Sequence, residues 1–149
     1  MIAIRVFEAK DAEMVSALIR KNLIEVNSKD YPKAVIQTLW KGYNADSLIA
    51  NAERRDIFVA IDDNIIVATA AIEANIIRDV FVHPDYHGQG IGTKLMKHLE
   101  NLARARGHGH IDLPSSITAY GFYQKLGYKK VREDDDDLYG KSIIVRIAL

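Results

Sequence analysis

Val80-Phe81-Val82-His83-Pro84-Asp85-Tyr86-His87-Gly88-Gln89-Gly90-Ile91-Gly92-Thr93 is the stretch whose reading decides the fold. A β-branched and aromatic run ends at His83-Pro84, and three glycines at alternate positions then lead directly into Ile91, Leu95, Leu99 and Leu102, one apolar face of a helix. Several backbone N–H groups can converge at such an entry, because glycine leaves no Cβ in the way and the first turn of a helix has unpaired amides and a positive dipole end. That combination is an anion cradle, and phosphate or diphosphate is its natural ligand. Two better-known phosphate loops are excluded. A Walker A loop needs Gly-Lys followed by Ser or Thr, whereas Thr93 here precedes Lys94; a dinucleotide fingerprint needs its last glycine one residue later, inside a parallel βαβ unit.

Working outward, Ile57–Ile61, Ile65–Glu73 and Ile76–Val82 are strand-like runs joined by Asp62-Asp63-Asn64 and by Ala74-Asn75. Links this short require an antiparallel meander. Toward the N-terminus, Ile2, Ile4 and Val6 alternate as a short strand. Asp11 reads as the N-cap of a helix carrying Val15, Leu18, Ile19 and Leu23, Pro32 opens a second helix, and Asp46 to Arg54 a third. On the C-terminal side, Arg104 and Arg106 suit a helix C-terminus, Ile111–Pro114 is a short strand, and Ser115 or Ser116 caps a helix that Gly127 ends. Tyr128–Arg132 and Ser142–Leu149 close the chain as paired strands around Glu133-Asp134-Asp135-Asp136-Asp137, which reads as a solvated hairpin loop.

Composition agrees with one folded domain over residues 1–149: 48% of the 149 residues are hydrophobic and 27% charged, with no repeat and no linker. Twenty basic residues balance twenty acidic ones, so no general electrostatic grip on nucleic acid or an anionic membrane is expected. With no cysteine, a disulfide framework, thiolate metal sites and a cysteine nucleophile are excluded. No signal peptide or membrane-spanning run is evident, so a cytoplasmic protein is the expectation. His83 with His87, and His108 with His110, are spaced like metal ligands but have no carboxylate or cysteine cluster to complete a site, so no metal is expected.

A second segment supplies the context. Ser116-Ile117-Thr118-Ala119-Tyr120-Gly121-Phe122-Tyr123-Gln124-Lys125-Leu126-Gly127-Tyr128 is similar to the second motif of the GNAT superfamily of N-acetyltransferases, Asn-x-x-Ala-x-x-Phe-Tyr-x-Lys-x-Gly-Phe. Val80–Thr93 resembles that family's acyl-CoA diphosphate loop, with His87 where Gln or Arg is usual and Ser116 where Asn is common. The resemblance runs over essentially the whole chain. It implies an α/β fold, a twisted mixed, mostly antiparallel sheet of about seven strands flanked by helices, and transfer of an acetyl group from acetyl-CoA to a primary amine of a small molecule or peptide, directly within a ternary complex. It further implies pantetheine along Phe81 and Val82, and diphosphate on the amides of His87, Gly88, Gln89, Gly90, Ile91, Gly92 and Thr93, with Ser116 nearby. It also gives the Val82 N–H the role of polarising the thioester carbonyl, and Tyr123 that of protonating the departing thiolate. A homodimer is compatible with the family.

The base is less marked. An alkylammonium of pKa ~10.4 is neutral only about once in 2,500 molecules at pH 7, so an acceptor for its proton is needed. Asp79, beside the acyl-binding part of the strand, is the first candidate and Glu73 the second, each of which also reads as an ordinary solvent-facing carboxylate. Arg78 stands where some branches of the family carry a carboxylate. A non-catalytic acyl-CoA-binding or sensing module of the same fold is therefore the alternative expectation.

Overall fold

The computed structural model describes residues 1–149 as seven strands in one sheet with helices on both faces. The strands are β1 (Ile2–Val6), β2 (Asp56–Asp62), β3 (Ile65–Glu73), β4 (Ile76–Val82), β5 (His110–Ser116), β6 (Lys129–Asp136) and β7 (Gly140–Ala148), in the order β1-β2-β3-β4-β5-β7-β6. The helices are α1 (Ala12–Glu25), α2 (Lys33–Gly42), α3 (Ala45–Asn51), α4 (Ile91–Ala105) and α5 (Tyr120–Lys125). Every strand pair is antiparallel except β4 with β5. Asp63 and Asn64 both take positive φ, 50° and 69°, as a tight right-twisting hairpin between β2 and β3 requires.

The sheet separates two cores. On one face α4 and α5 cover Phe58, Val67, Ile72, Ile77, Ile111 and Leu113 with Leu95, Met96, Leu99 and Tyr123. On the other, α1 to α3 bury Val15, Leu18, Ile19, Leu23, Ile36 and Leu48 against Ile57, Val59 and Ile66. Three expectations need correction. Asp11 holds the N-cap position of α1, but its side chain caps no amide of that helix: its buried carboxylate accepts the Glu8 amide at 2.8 Å and two hydrogen bonds from Arg5 at 2.7 and 2.9 Å, locking β1 to the turn before the helix. The acidic run is not a loop, since β6 continues through Asp136 paired with β7, and the hairpin turn is confined to 137–139. The last helix starts at Tyr120, because the Ser116 hydroxyl accepts the Ala119 amide at 3.0 Å and so closes the turn that precedes it.

Two irregularities of β4 shape the centre of the molecule. Thr69 pairs with Phe81 but Ala71 with Arg78, so Asp79 and Val80 together oppose the single Ala70. This β-bulge reverses the inward–outward alternation: Ile77, Val80 and Val82 all reach the α4 side, while Phe81 packs on the α1–α3 side. The second irregularity is the junction with β5. Only Ile76 and Asp112 pair there, reinforced by Asp112 N–H donating to the Asn75 carbonyl at 3.1 Å. Beyond that point the two strands share no further ladder bonds and a crevice opens between their C-terminal ends.

Candidate active site

The crevice is part of a cleft of about 1300 Å³ that runs from the glycine loop past β4 and β5 to the β6–β7 hairpin. It gathers Asp79, Phe81, Val82, His87, Gly88, Gly90, Ile91, Gly92, Thr93, Ser116 and Tyr123 from four separate parts of the chain. Glu73 and Gln89 do not line it.

The loop is built as an amide cradle. Gly88 and Gly90 take φ of 78° and 80°, a left-handed region that costs other residues about 1–2 kcal/mol, and Gly90 is the N-cap of α4. No side chain caps this helix, and the amides of Gly88 through Thr93 donate to no protein acceptor; the first amide of α4 with a partner is that of Lys94, bonded to Gly90 O at 3.0 Å. Six free N–H groups at the positive end of a 15-residue helix suit a diphosphate. Gly92 serves packing instead: a Cβ there would lie 3.1 Å from the Phe122 ring and 3.5 Å from Val82 Cγ2. His87 pins the turn from outside, its Nε2 lying 2.7 Å from the Val82 carbonyl. A carbonyl oxygen only accepts, so Nε2 carries the hydrogen.

Val82 presents its backbone to the crevice. His83 N–H bonds Val67 O at 2.8 Å, which makes the facing pair Ala68–Val82 the non-hydrogen-bonded kind. The N–H and C=O of Val82 therefore point away from β3, toward the gap. Two side chains reach the carbonyl: His87, and Asn22 of α1 through Nδ2 at 2.8 Å. The Val82 N–H has no protein partner, as an oxyanion donor requires. Asn22 was legible only as a polar residue inside the apolar stripe of α1, and it holds the strand end by its carbonyl.

Tyr123 lies across the gap, 4% exposed, with its ring edge-to-face on Phe122 and Tyr128 at centroid distances of 5.1 and 5.8 Å. Its hydroxyl bonds to no protein group but borders the cleft. Burial, with the negative charge of Asp79 added, pushes this phenol well above its ordinary pKa. It is therefore a reservoir of one proton and cannot serve as a base near neutral pH.

Asp79 stands at the bulge with φ of 57°, a strained conformation for a residue with a side chain. Its carboxylate is held by the Tyr43 hydroxyl at 2.5 Å and by Arg55 Nη1 at 3.1 Å, and Arg55 Nε reaches Glu73 at 3.1 Å. The two carboxylates expected near the amine thus share one guanidinium, and only Asp79 borders the cleft. Tyr43 is half-buried, edge-on to Phe81 at 5.6 Å, and desolvation of its hydroxyl with the adjacent Asp79 charge drives its phenol far up. Neither Tyr43 nor Arg55 stood out in the sequence. Both sit in helical or turn segments where nothing in their spacing signals a contact with β4.

The model of the Acetyltransferase (GNAT) domain family matches residues 53–130, which is β2 through the start of β6 and includes both the cradle and Tyr123. The chain belongs to the GNAT family. An uncharacterized acetyltransferase of Streptococcus pyogenes serotype M1 is 35% identical over 92 residues, 57% of this chain and 64% of that protein, so the match leaves about a third of the relative's length uncovered. A second S. pyogenes protein, named for the arcA 3′ region, is 33% identical over 113 residues, 68% of this chain and 75% of its own. Among solved structures, a GCN5-related N-acetyltransferase from Rhodopseudomonas palustris superposes with a TM-score of 0.93 at 23% identity, covering 99% of this chain and 95% of that one. The PaiA N-acetyltransferase of Thermoplasma acidophilum, determined with coenzyme A, gives 0.84 at 20% identity over 100% and 99%. At these identities the GNAT likeness to solved structures is one of fold. The seven-stranded mixed sheet expected from the sequence is the sheet observed. No helix is long and apolar enough to cross a membrane.

Proposed function

We propose that this chain is an N-acetyltransferase that moves the acetyl group of acetyl-CoA to a primary amine of a small molecule or peptide. The observation that carries the reading is the conjunction, in one cleft, of the unpaired amides of Gly88, Gly90, Ile91, Gly92 and Thr93, the unpaired Val82 N–H and the unpaired Tyr123 hydroxyl. Acetyl-CoA supplies a diphosphate for the first and a thioester carbonyl for the second. The GNAT model match and the fold shared with a neighbour determined with coenzyme A support it. Gly88 to Thr93 hold the diphosphate, and Phe81 and Val82 line the pantetheine path. The Val82 N–H stabilises charge developing on the carbonyl oxygen, a contribution of several kcal/mol at comparable donors. The amine nitrogen forms the new C–N bond as the C–S bond breaks; Tyr123 gives its proton to the departing sulfur, and the proton shed by nitrogen leaves through water toward Asp79, regenerating the phenol through solvent. Asp79, already held by Tyr43 and Arg55, acts as a fixed negative end for that water path. Glu73 acts through Arg55, one step back.

One observation favours a second reading, in which the chain binds acyl-CoA without turning it over: both acidic candidates are engaged by Arg55. The two readings separate in one assay. CoA thiol released from acetyl-CoA is followed with a thiol reagent across amino acids, polyamines, aminosugars and peptides, free of background because the chain has no cysteine. Release that depends on one class of amine is the expected result. Silence across the panel, with acetyl-CoA still raising the melting temperature, overturns the enzyme reading in favour of the binding module.

A further inference from the structure

Every cationic side chain on the cleft wall but one has an acidic partner. Of the Arg and Lys residues lining it, Arg55 is bonded to Glu73 and Asp79, Arg132 to Asp134, and Lys141 to Glu133. Arg78 is in no ion pair and no hydrogen bond, and its Nε is buried without an acceptor. The acidic groups of the same wall are all in use: Asp79 by Arg55 and Tyr43, Asp112 by Arg146 at 2.6 and 2.9 Å, Asp134 by Arg132, and Asp136 by the amides of Leu138 and Tyr139. Arg78 is thus the one cationic side chain of the cleft wall with no protein partner.

Its position is specific. Arg78 immediately precedes the bulge, and because Ile77 is buried on the α4 side, Arg78 projects to the other face, where Tyr43, Arg55 and Phe81 border the cleft. The cradle and the Val82 N–H lie on the far side of the bulge, so Arg78 faces the space left for the acceptor. Arg78 is half-buried with its Nε shut off from water and unpaired, which is costly, and the planar fork of a guanidinium matches the paired oxygens of a carboxylate or phosphate.

Resting on the acetyltransferase reading, we propose that Arg78 is a specificity-determining residue that pairs with an oxyanion carried by the acceptor amine itself, so that the preferred acceptors are amines bearing a carboxylate or a phosphate. The acidic β6–β7 hairpin does not define the acceptor, because its cleft-facing carboxylates are already bonded within the protein.

The test is kcat/KM for CoA release on matched acceptors: the free amino acids against their carboxamides, and phosphorylated against unphosphorylated aminosugars. The wild-type chain favours the anionic member of at least one pair by about 30-fold or more, the size expected when one partner of an enclosed charge pair is removed. Arg78→Met abolishes that preference by loss on the anionic member, and Arg78→Lys restores part of it. An acetyl-CoA-induced rise in melting temperature in each variant confirms that the fold and cradle persist. The amino acid and aminosugar arms tell a carboxylate from a phosphate. Turnover with equal or greater preference for the uncharged member, or a preference that survives Arg78→Met, overturns this proposal and leaves the acetyltransferase reading intact. Silence with every acceptor overturns both.

Discussion

Replacing Tyr123 by Phe removes one oxygen from a ring whose packing is otherwise complete. The edge-to-face contacts with Phe122 and Tyr128 belong to the ring and stay. The hydroxyl bonds to no protein group, so its removal strands no partner, and the stability change is held within about 0.5 kcal/mol. For a chain of this length that is a shift of about 2 °C or less in Tm. The catalytic effect is of another order. A positioned general acid contributes roughly 10²- to 10⁴-fold, or about 2.7–5.5 kcal/mol of barrier. Tyr123→Phe is thus expected to melt like the parent, bind acetyl-CoA like the parent, and release CoA 10²- to 10⁴-fold more slowly with the best acceptor. Because burial and Asp79 push the phenol above its ordinary value, the acid stays protonated as pH rises, and it puts no alkaline fall into kcat between about pH 7 and 9. Turnover retained in Tyr123→Phe would refute the acid role, and a large drop in Tm would show that the side chain is structural.

Other expectations follow from the same geometry. Gly90→Ala meets no atom within 4 Å but must hold φ near 80°, so it loses about 1–2 kcal/mol by thermal melting and raises KM for acetyl-CoA more than it lowers kcat. Asp79→Asn lowers kcat/KM at pH 7, and the deficit narrows as pH approaches the pKa of the acceptor ammonium, where no proton needs removing; a deficit independent of pH would count against the proton path. Asp11 has its carboxyl held low by the Arg5 hydrogen bonds, so its contribution is present above the ordinary carboxylate pKa and is lost as pH falls through the lowered folded value. Asp11→Ala, which leaves Arg5 and the Glu8 amide without their acceptor, costs about 3 kcal/mol at pH 7 and flattens the acid limb of the Tm–pH curve.

The elements that were legible in the sequence are those whose signal is local. The glycines at 88, 90 and 92, the Asp62-Asp63-Asn64 turn and the Leu95–Leu99–Leu102 face are spacings within one element, and the short links at 62–64 and 74–75 gave the antiparallel run β2-β3-β4, but not β5 as the other neighbour of β4. Tyr123 and Val82 were singled out by the resemblance and not by spacing, and both line the same cleft as the loop. What escaped is non-local. The bulge at Asp79–Val80 shows in the sequence only as an unremarkable Arg-Asp-Val, yet it decides which face each later β4 side chain takes. Arg55 and Tyr43 reach Asp79 across 24 and 36 residues, and no periodicity encodes that. Acidic residues suggested a loop at 133–137, but pairing with β7, and Lys130 and Lys141 beside Glu133, let them continue an edge strand.

The most direct test of the central claim follows the acetyl group itself. Acetyl-CoA labelled in its acetyl carbon is incubated with the protein and a panel of primary amines, and the label is traced by mass spectrometry. The account predicts labelled N-acetyl product from at least one amine, in equal amount to the CoA thiol released. Thiol release with the label in free acetate, or label that stays on CoA with every amine, would contradict it.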